Sequence, residues 1–342
     1  MNDSSRPCLL PRIIGGPQAE TLPEGCSPLI DGGSLPCPGA VTRLEAISGL
    51  DEDGEPLRIR SWSAAYAEQA LALRAKGADL LLAEGIRSVP EARAVVLGAR
   101  QAGVPVLLSA ELDDEGCTPE GIPFAAILAS VQHLGAAAVG FRCGGDRIDT
   151  LAILGQHAAY ATVPLMPVLR SRERSPEEVK RHATQALKAG ADLFLLGPRI
   201  TASQREAAAQ AVAEFSPEEQ VIPLEEDLLF MACEAEAFFL PDGGLTFSEP
   251  IPCQYDMGPD ILAAEATGCD VLSIYVDSPE DAEYFADNAH MIRLPVCIIS
   301  HDEIALESAL MEYNGRAFVD LQSELPDSEL YTLARGYGAV VL

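Results

Sequence analysis

Basic side chains are scarce: 23 lysines and arginines stand against 52 aspartates and glutamates, a formal net charge of −29. Such a surface repels phosphate backbones and anionic lipid, so neither nucleic acid nor membrane is an expected partner. No apolar run reaches the length needed to span a bilayer. Residues 1–11 lack a basic stretch followed by an apolar one, and no signal peptide is expected. The nine cysteines are odd in number, irregularly spaced and free of any Cys-x-x-Cys pair. That argues against a disulfide framework or a zinc ribbon and for a reducing, cytoplasmic setting.

What the chain has is a repeat. An Ala-rich amphipathic stretch ends at Gly or Pro, and a short apolar run follows at once. The clearest cases are 64–76 with Gly77 before 78–83, 91–102 with Gly103 before 104–109, and 125–134 with Gly135 before 137–141. The stretches 151–161 and 176–189 precede 163–169 and 191–196 in the same way. Ala, Leu, Glu, Lys and Arg favour helix, and a Gly just past the last turn supplies the left-handed cap. A run apolar on both faces is a strand buried under helices. Helix–Gly–strand repeats predict parallel strands with right-handed crossovers. Five consecutive units suit a (β/α) TIM-type barrel, complete or incomplete, or a doubly wound sheet. The predicted class is α/β, of the barrel type, followed by a smaller α/β half-barrel.

Four segments are expected. Residues 1–60 give a strand near 12–15 and a long loop at 17–58. Residues 61–217 form the barrel. Residues 218–256 are an acidic linker with a hairpin at 237–240 and 245–247. Residues 257–342 carry four further strands, too few to close a second barrel.

The run Gly77-Ala78-Asp79-Leu80-Leu81-Leu82-Ala83-Glu84 is followed by Pro90-Glu91-Ala92 and Pro105-Val106-Leu107-Leu108-Ser109. Then come Gly116, the run Leu134-Gly135-Ala136-Ala137-Ala138-Val139-Gly140-Phe141-Arg142-Cys143, and Tyr160-Ala161-Thr162-Val163-Pro164-Leu165. With Gly16-Pro17 upstream, this pattern resembles the homocysteine S-methyltransferase family, in particular the homocysteine-binding barrel of cobalamin-dependent methionine synthases. Residues 260–342 resemble the start of the pterin-binding barrel that follows there, through Gly268-Cys269-Asp270-Val271-Leu272, Leu294-Pro295-Val296 and Tyr313-Asn314-Gly315-Arg316-Ala317.

The resemblance implies methyl transfer to the homocysteine thiol, activated by zinc on three cysteines, with cobalamin reached only through a partner corrinoid protein. The first zinc cysteine matches Cys143, where Arg142 replaces the family's Asn. The adjacent cysteine pair falls at Gly197 and Pro198, which cannot ligate. The folate signature of the second barrel is also absent.

Candidate catalytic residues are Cys143, at a strand end where barrel enzymes place their chemistry, and Glu84, which matches the family's Glu-Thr motif. Arg142 can lower the thiol pKa, although strand alternation turns its side chain to the opposite face. Glu84, Ser109, Glu111, Arg170 and Arg199 are candidate substrate contacts. Arg170, Arg172, Arg174 and Arg199 form a basic cluster able to receive an anion. Gly144-Gly145 leaves room for a close backbone approach. Of the five histidines, His301 alone follows a strand.

Three readings stay open. One is a homocysteine methyltransferase-type enzyme with an altered or lost zinc site. Another is an inactive paralogue that binds a corrinoid protein or a methyltransferase. The last is a zinc-free barrel enzyme for an anionic metabolite. A small-molecule substrate of the homocysteine kind is expected, as is a homodimer that pairs exposed sheet edges.

Overall fold

The computed structural model describes residues 12–14, 29–30, 33–34, 40–51, 53–144, 150–170, 174–197, 199–220, 222, 228–323 and 325–342. Gly16, Pro17, Gly145, Arg172 and Pro198 lie outside the described residues.

The first sheet has seven strands: β1 (Arg12–Ile14), β4 (Ala40–Leu44), β5 (Ala78–Ile86), β6 (Val106–Leu112), β7 (Ala138–Cys143), β8 (Leu165–Leu169) and β9 (Leu193–Leu196). Their spatial order is β1-β9-β8-β7-β6-β5-β4, and every ladder is parallel. Each strand from β4 to β9 lies beside the next in sequence, and β1 returns to the last one. That is the winding of a (β/α) barrel. Among the described residues no ladder joins β1 to β4, so the barrel is incomplete. The region 17–58, read as loop, contains β4 and the two-residue strands β2 (Leu29–Ile30) and β3 (Gly33–Ser34). Its glycines and prolines masked these short strands.

The crossovers are helices α1 (Ile59–Ala75), α2 (Val89–Ala102), α3 (Phe124–Val131), α4 (Thr150–His157) and α5 (Pro176–Lys188), with α6 (Ala202–Glu214) after β9. Their ends follow from local chemistry. Ser88 accepts from the backbone N–H of Glu91 to open α2, and Gly103 closes it at φ 65°. Ser175 and Glu178 form a reciprocal capping box on α5. Helix α4 ends at His157, short of the expected 161.

The alternation of the strands sorts the sheet into two faces. Leu81, Leu108, Val139, Phe141, Phe194 and Leu196 pack under the helices. Leu80, Leu82, Leu107, Ala138, Met166, Val168, Leu193 and Leu195 form a second cluster on the other, inner face.

The second sheet runs β12 (Ile251–Pro252), β13 (Leu272–Tyr275), β14 (Val296–Ile299), β15 (Phe318–Val319) and β16 (Val340–Val341), again parallel and in sequence order. It has five strands rather than four. The extra one, β12, lies inside the segment expected as a linker and is two residues long with a proline, which hides it from periodicity. Helices α7 (Gly258–Glu265), α8 (Pro279–Asn288), α9 (Glu303–Glu312) and α10 (Asp327–Gly336) cover one face.

The expected hairpin is also corrected. Ala237–Pro241 (β11) pairs antiparallel with the upstream Leu228–Ala232 (β10), not with 245–247. The backbone N–H of Cys233 donates to Glu236 O at 3.0 Å and tightens that turn. Met231 of the hairpin is buried with Val271, Cys297 and Phe318, and Leu229, Phe238 and Leu240 pack around them. The hairpin thus covers the apolar face of the second sheet opposite its helices.

Arginines join the two halves. Arg93 of α2 is 1% exposed and donates to Leu310 O and Gly315 O at the end of α9, at 2.7 and 2.8 Å. Arg100 donates to Leu134 O at 2.9 Å and also to Gly336 O. Arg316 donates to Phe230 O at 2.7 Å and Gly338 O at 2.9 Å. In the other direction the Glu312 carboxylate accepts from the backbone N–H groups of Ile59 and Arg60, at 2.9 and 3.3 Å, and so caps α1 from the second half.

Burial raises the Glu312 pKa, and its two backbone hydrogen bonds only partly offset that. A carboxyl whose native pKa exceeds its unfolded value contributes stability at low pH and loses it as pH rises through the native value. The stability that wild type has over Glu312→Gln should therefore be larger below the unfolded carboxyl pKa than at neutral pH, read as the pH dependence of the Tm difference between the two proteins. An unchanged pH profile in that variant would remove Glu312 from the account.

Candidate functional site

The C-terminal rim of β5–β8 gathers the polar side chains of the first half. Register alignment puts Glu84, Ser109 and Gly140 in one row, with Glu111 and Arg142 in the row two residues further on. All share parity with the inner-face leucines. Arg43 on β4 has the same parity as Val41, which packs against that cluster.

Glu84 is half-buried, its side chain 13% exposed, and its Oε2 lies 3.3 Å from Arg43 Nε. This is charge pairing without hydrogen-bond alignment, because the same buried oxygen has no hydrogen-bond partner. Ser109, 2% exposed, lies beside it on the adjacent strand. Glu111 and Arg142 form an ion pair at 2.9 Å across β6 and β7. Arg142 thus points away from its neighbour Cys143, as alternation requires.

Cys143 sits at the same end of the sheet but on the other face. Its side chain is 4% exposed within the helix-covered core, with Sγ 3.8 Å from Thr150 Oγ1 on α4. Arg170, just past β8, donates to Cys143 O and, at 3.2 Å, to Gly144 O. Cys143, Thr150, Val168, Arg170, Arg174 and His182 line a recess of about 10 Å³, too small for a metabolite. Arg199 is exposed after Gly197. The structure therefore brings together Glu84, Ser109 and Glu111, and sets the Cys143 side chain on the other face of the sheet.

The donor set does not fit a catalytic zinc. Zinc needs three protein ligands facing one point. Cys143 points into the helix-covered core, Gly197 offers no side chain, and among the described residues no three His, Cys, Asp or Glu groups are placed to hold a metal ion.

Residues 32–197 match the homocysteine S-methyltransferase family. This segment belongs to that family. A methionine synthase from Mycobacterium leprae (strain TN) is 31% identical over 107 residues, which is 30% of this chain and 9% of that protein. Among solved structures, the homocysteine methyltransferase MmuM from Escherichia coli, in its apo form, aligns with 25% identity and a TM-score of 0.37. The alignment covers 46% of this chain and 59% of MmuM. A 3-hexulose-6-phosphate synthase from Salmonella typhimurium aligns at 17% identity and a TM-score of 0.31, over 43% and 66% of the two chains. The chain spans less than two thirds of each of these proteins.

Two site residues were not legible in the sequence. Arg43 was hidden in a region read as loop. Only the parallel pairing of β4 with β5 places it beside Glu84. Tyr275, whose Oη lies 2.9 Å from His301 Nδ1, carries no motif that marks it.

No helix of the described residues is long and apolar enough to cross a membrane.

Proposed function

We propose that the first half binds a small zwitterionic amino acid of the homocysteine class at the inner rim and does not activate its thiol through zinc. The observation that carries this is Glu84 Oε2: a buried carboxylate oxygen, without a hydrogen-bond donor, at the C-terminal end of a barrel strand. A ligand ammonium supplies the missing donor. Arg43 and Arg142 provide positive charge for the ligand carboxylate, and Ser109 provides a hydroxyl between them. Methionine synthase and MmuM, by their names, act in the same chemistry. The reading keeps their substrate class and gives up their metal step.

Purified protein should contain far less than one zinc per chain, whether or not Cys143 is replaced by alanine. L-Homocysteine should raise its Tm, and S-methylmethionine should yield no methionine from it. One zinc per chain, lost in Cys143→Ala together with methyl transfer, would instead establish an active methyltransferase. The corrinoid-binding and dimer readings stay tied to this proposal. Both predict assembly visible in sedimentation with a cobalamin protein or with a second copy.

A further inference from the structure

The second sheet has its own polar rim. Tyr275 ends β13, and Asp277 and His301 follow β13 and β14 at the same, C-terminal end. The register of the two strands pairs Tyr275 with Ile299, which brings Asp277 level with His301 two residues beyond. This corresponds to the position of Glu84, Ser109 and Glu111 in the first sheet, where barrel folds place ligand contacts.

The three side chains form a hydrogen-bonded relay. Tyr275 Oη donates to Asp277 Oδ2 at 2.8 Å. The same Oη lies 2.9 Å from His301 Nδ1. The one phenolic proton is committed to Asp277, so Nδ1 is the donor of that second bond. Asp277 Oδ1 accepts from the backbone N–H of His301 at 2.8 Å and stands 3.5 Å from Nδ1. The rings of Tyr275 and His301 meet edge to face, with centroids 5.5 Å apart. Partial burial acts to raise the Asp277 pKa, but the hydrogen bonds from His301 N–H and Tyr275 prevail and hold it below the usual carboxylate value. The aspartate is therefore anionic at neutral pH.

This arrangement fixes the imidazole ring and its tautomer and leaves the Nε2 lone pair as a hydrogen-bond acceptor. The side chain is 37% exposed, so solutes reach it. The loops after β12 to β15 at this rim carry Asp256, Asp277, Asp302 and Asp320 and contain no lysine or arginine. A cationic ligand is favoured there and an anionic one repelled.

We propose that His301, oriented by Tyr275 and Asp277, forms a second site that binds small protonated amines. The ammonium keeps its proton and donates a hydrogen bond to Nε2, and the carboxylates of the rim balance its charge. The site lies on the other sheet and does not depend on the reading of Glu84.

The test is nitrogen-15 NMR of the full chain with 2-aminoethanol as the probe and propionate as the anionic control. His301 should show Nδ1–H and an unprotonated Nε2 in its neutral form. Titration with 2-aminoethanol should move the Nε2 resonance saturably, and propionate should not. Asp277→Asn should weaken the 2-aminoethanol response about tenfold through loss of one charge-assisted pairing. Tyr275→Phe should release the ring and populate both tautomers. Circular dichroism of each variant checks that the fold is kept. An Nε2–H tautomer in the wild type, equal responses to amine and carboxylate, or an unchanged affinity in a folded Asp277→Asn would each overturn the proposal.

Discussion

Replacing Arg93 with alanine should cost about 3 to 5 kcal/mol and split one unfolding transition into two. Arg93 is an unusual core residue: a guanidinium 1% exposed, with no carboxylate hydrogen-bonded to it and its Nε without a partner. Burial lowers its pKa to about 10, which leaves it charged at neutral pH. The charge is tolerated because it faces the negative end of α9, where Leu310 O in the last turn and Gly315 O just beyond the helix accept its two hydrogen bonds. Alanine leaves those carbonyls buried without the donor and opens a cavity between the halves. Methionine fills most of the space but restores no donor, so Arg93→Met should lose less than Arg93→Ala and still more than about 1 kcal/mol. Urea unfolding followed by tryptophan fluorescence for the first half and circular dichroism for the whole chain gives the answer. Coincident transitions and a loss below that figure would mean the halves do not depend on Arg93.

Replacing Gly140 with valine should be nearly as damaging, at about 3 kcal/mol, the upper end for overpacking. A Cβ at this position would stand 1.9 Å from Met166 O and 3.0 Å from Met166 Cβ. The strands β7 and β8 approach too closely for any side chain. Relief requires them to separate just below Arg142 and Cys143, which breaks the ladder that aligns Gly140 with Met166. Even Gly140→Ala meets the same clash. A variant with an unchanged urea midpoint would show that the two strands are set further apart.

This glycine shows how much the sequence revealed. Gly140 was legible as part of a family pattern, but the reason for it, contact with the Met166 carbonyl, exists only once β7 and β8 lie side by side. The helix–Gly–strand repeats were legible because caps such as Ser88 and Gly103 act locally. Short strands such as β4 and β12 were not, because their pairing partners make them strands. Glu84 and Cys143 both lie toward the C-terminal end of the sheet. Their separation onto opposite faces depends on where each strand stops: Glu84 shares the parity of Leu82, whereas Cys143 shares that of Phe141. Sequence spacing alone does not relate the parity of one strand to that of another. The hairpin over the second sheet was misread for a similar reason, since Phe239 and Leu240 pair equally well in prospect with strands on either side.

The account rests on a ligand site that works without metal, and calorimetric titration of chelator-treated protein with L-homocysteine tests it most directly. Saturable binding should persist in the presence of chelator, weaken at least about tenfold in Glu84→Gln, and be unaffected by Cys143→Ala. Binding that appears only after zinc is restored, and disappears with Cys143→Ala, would contradict it.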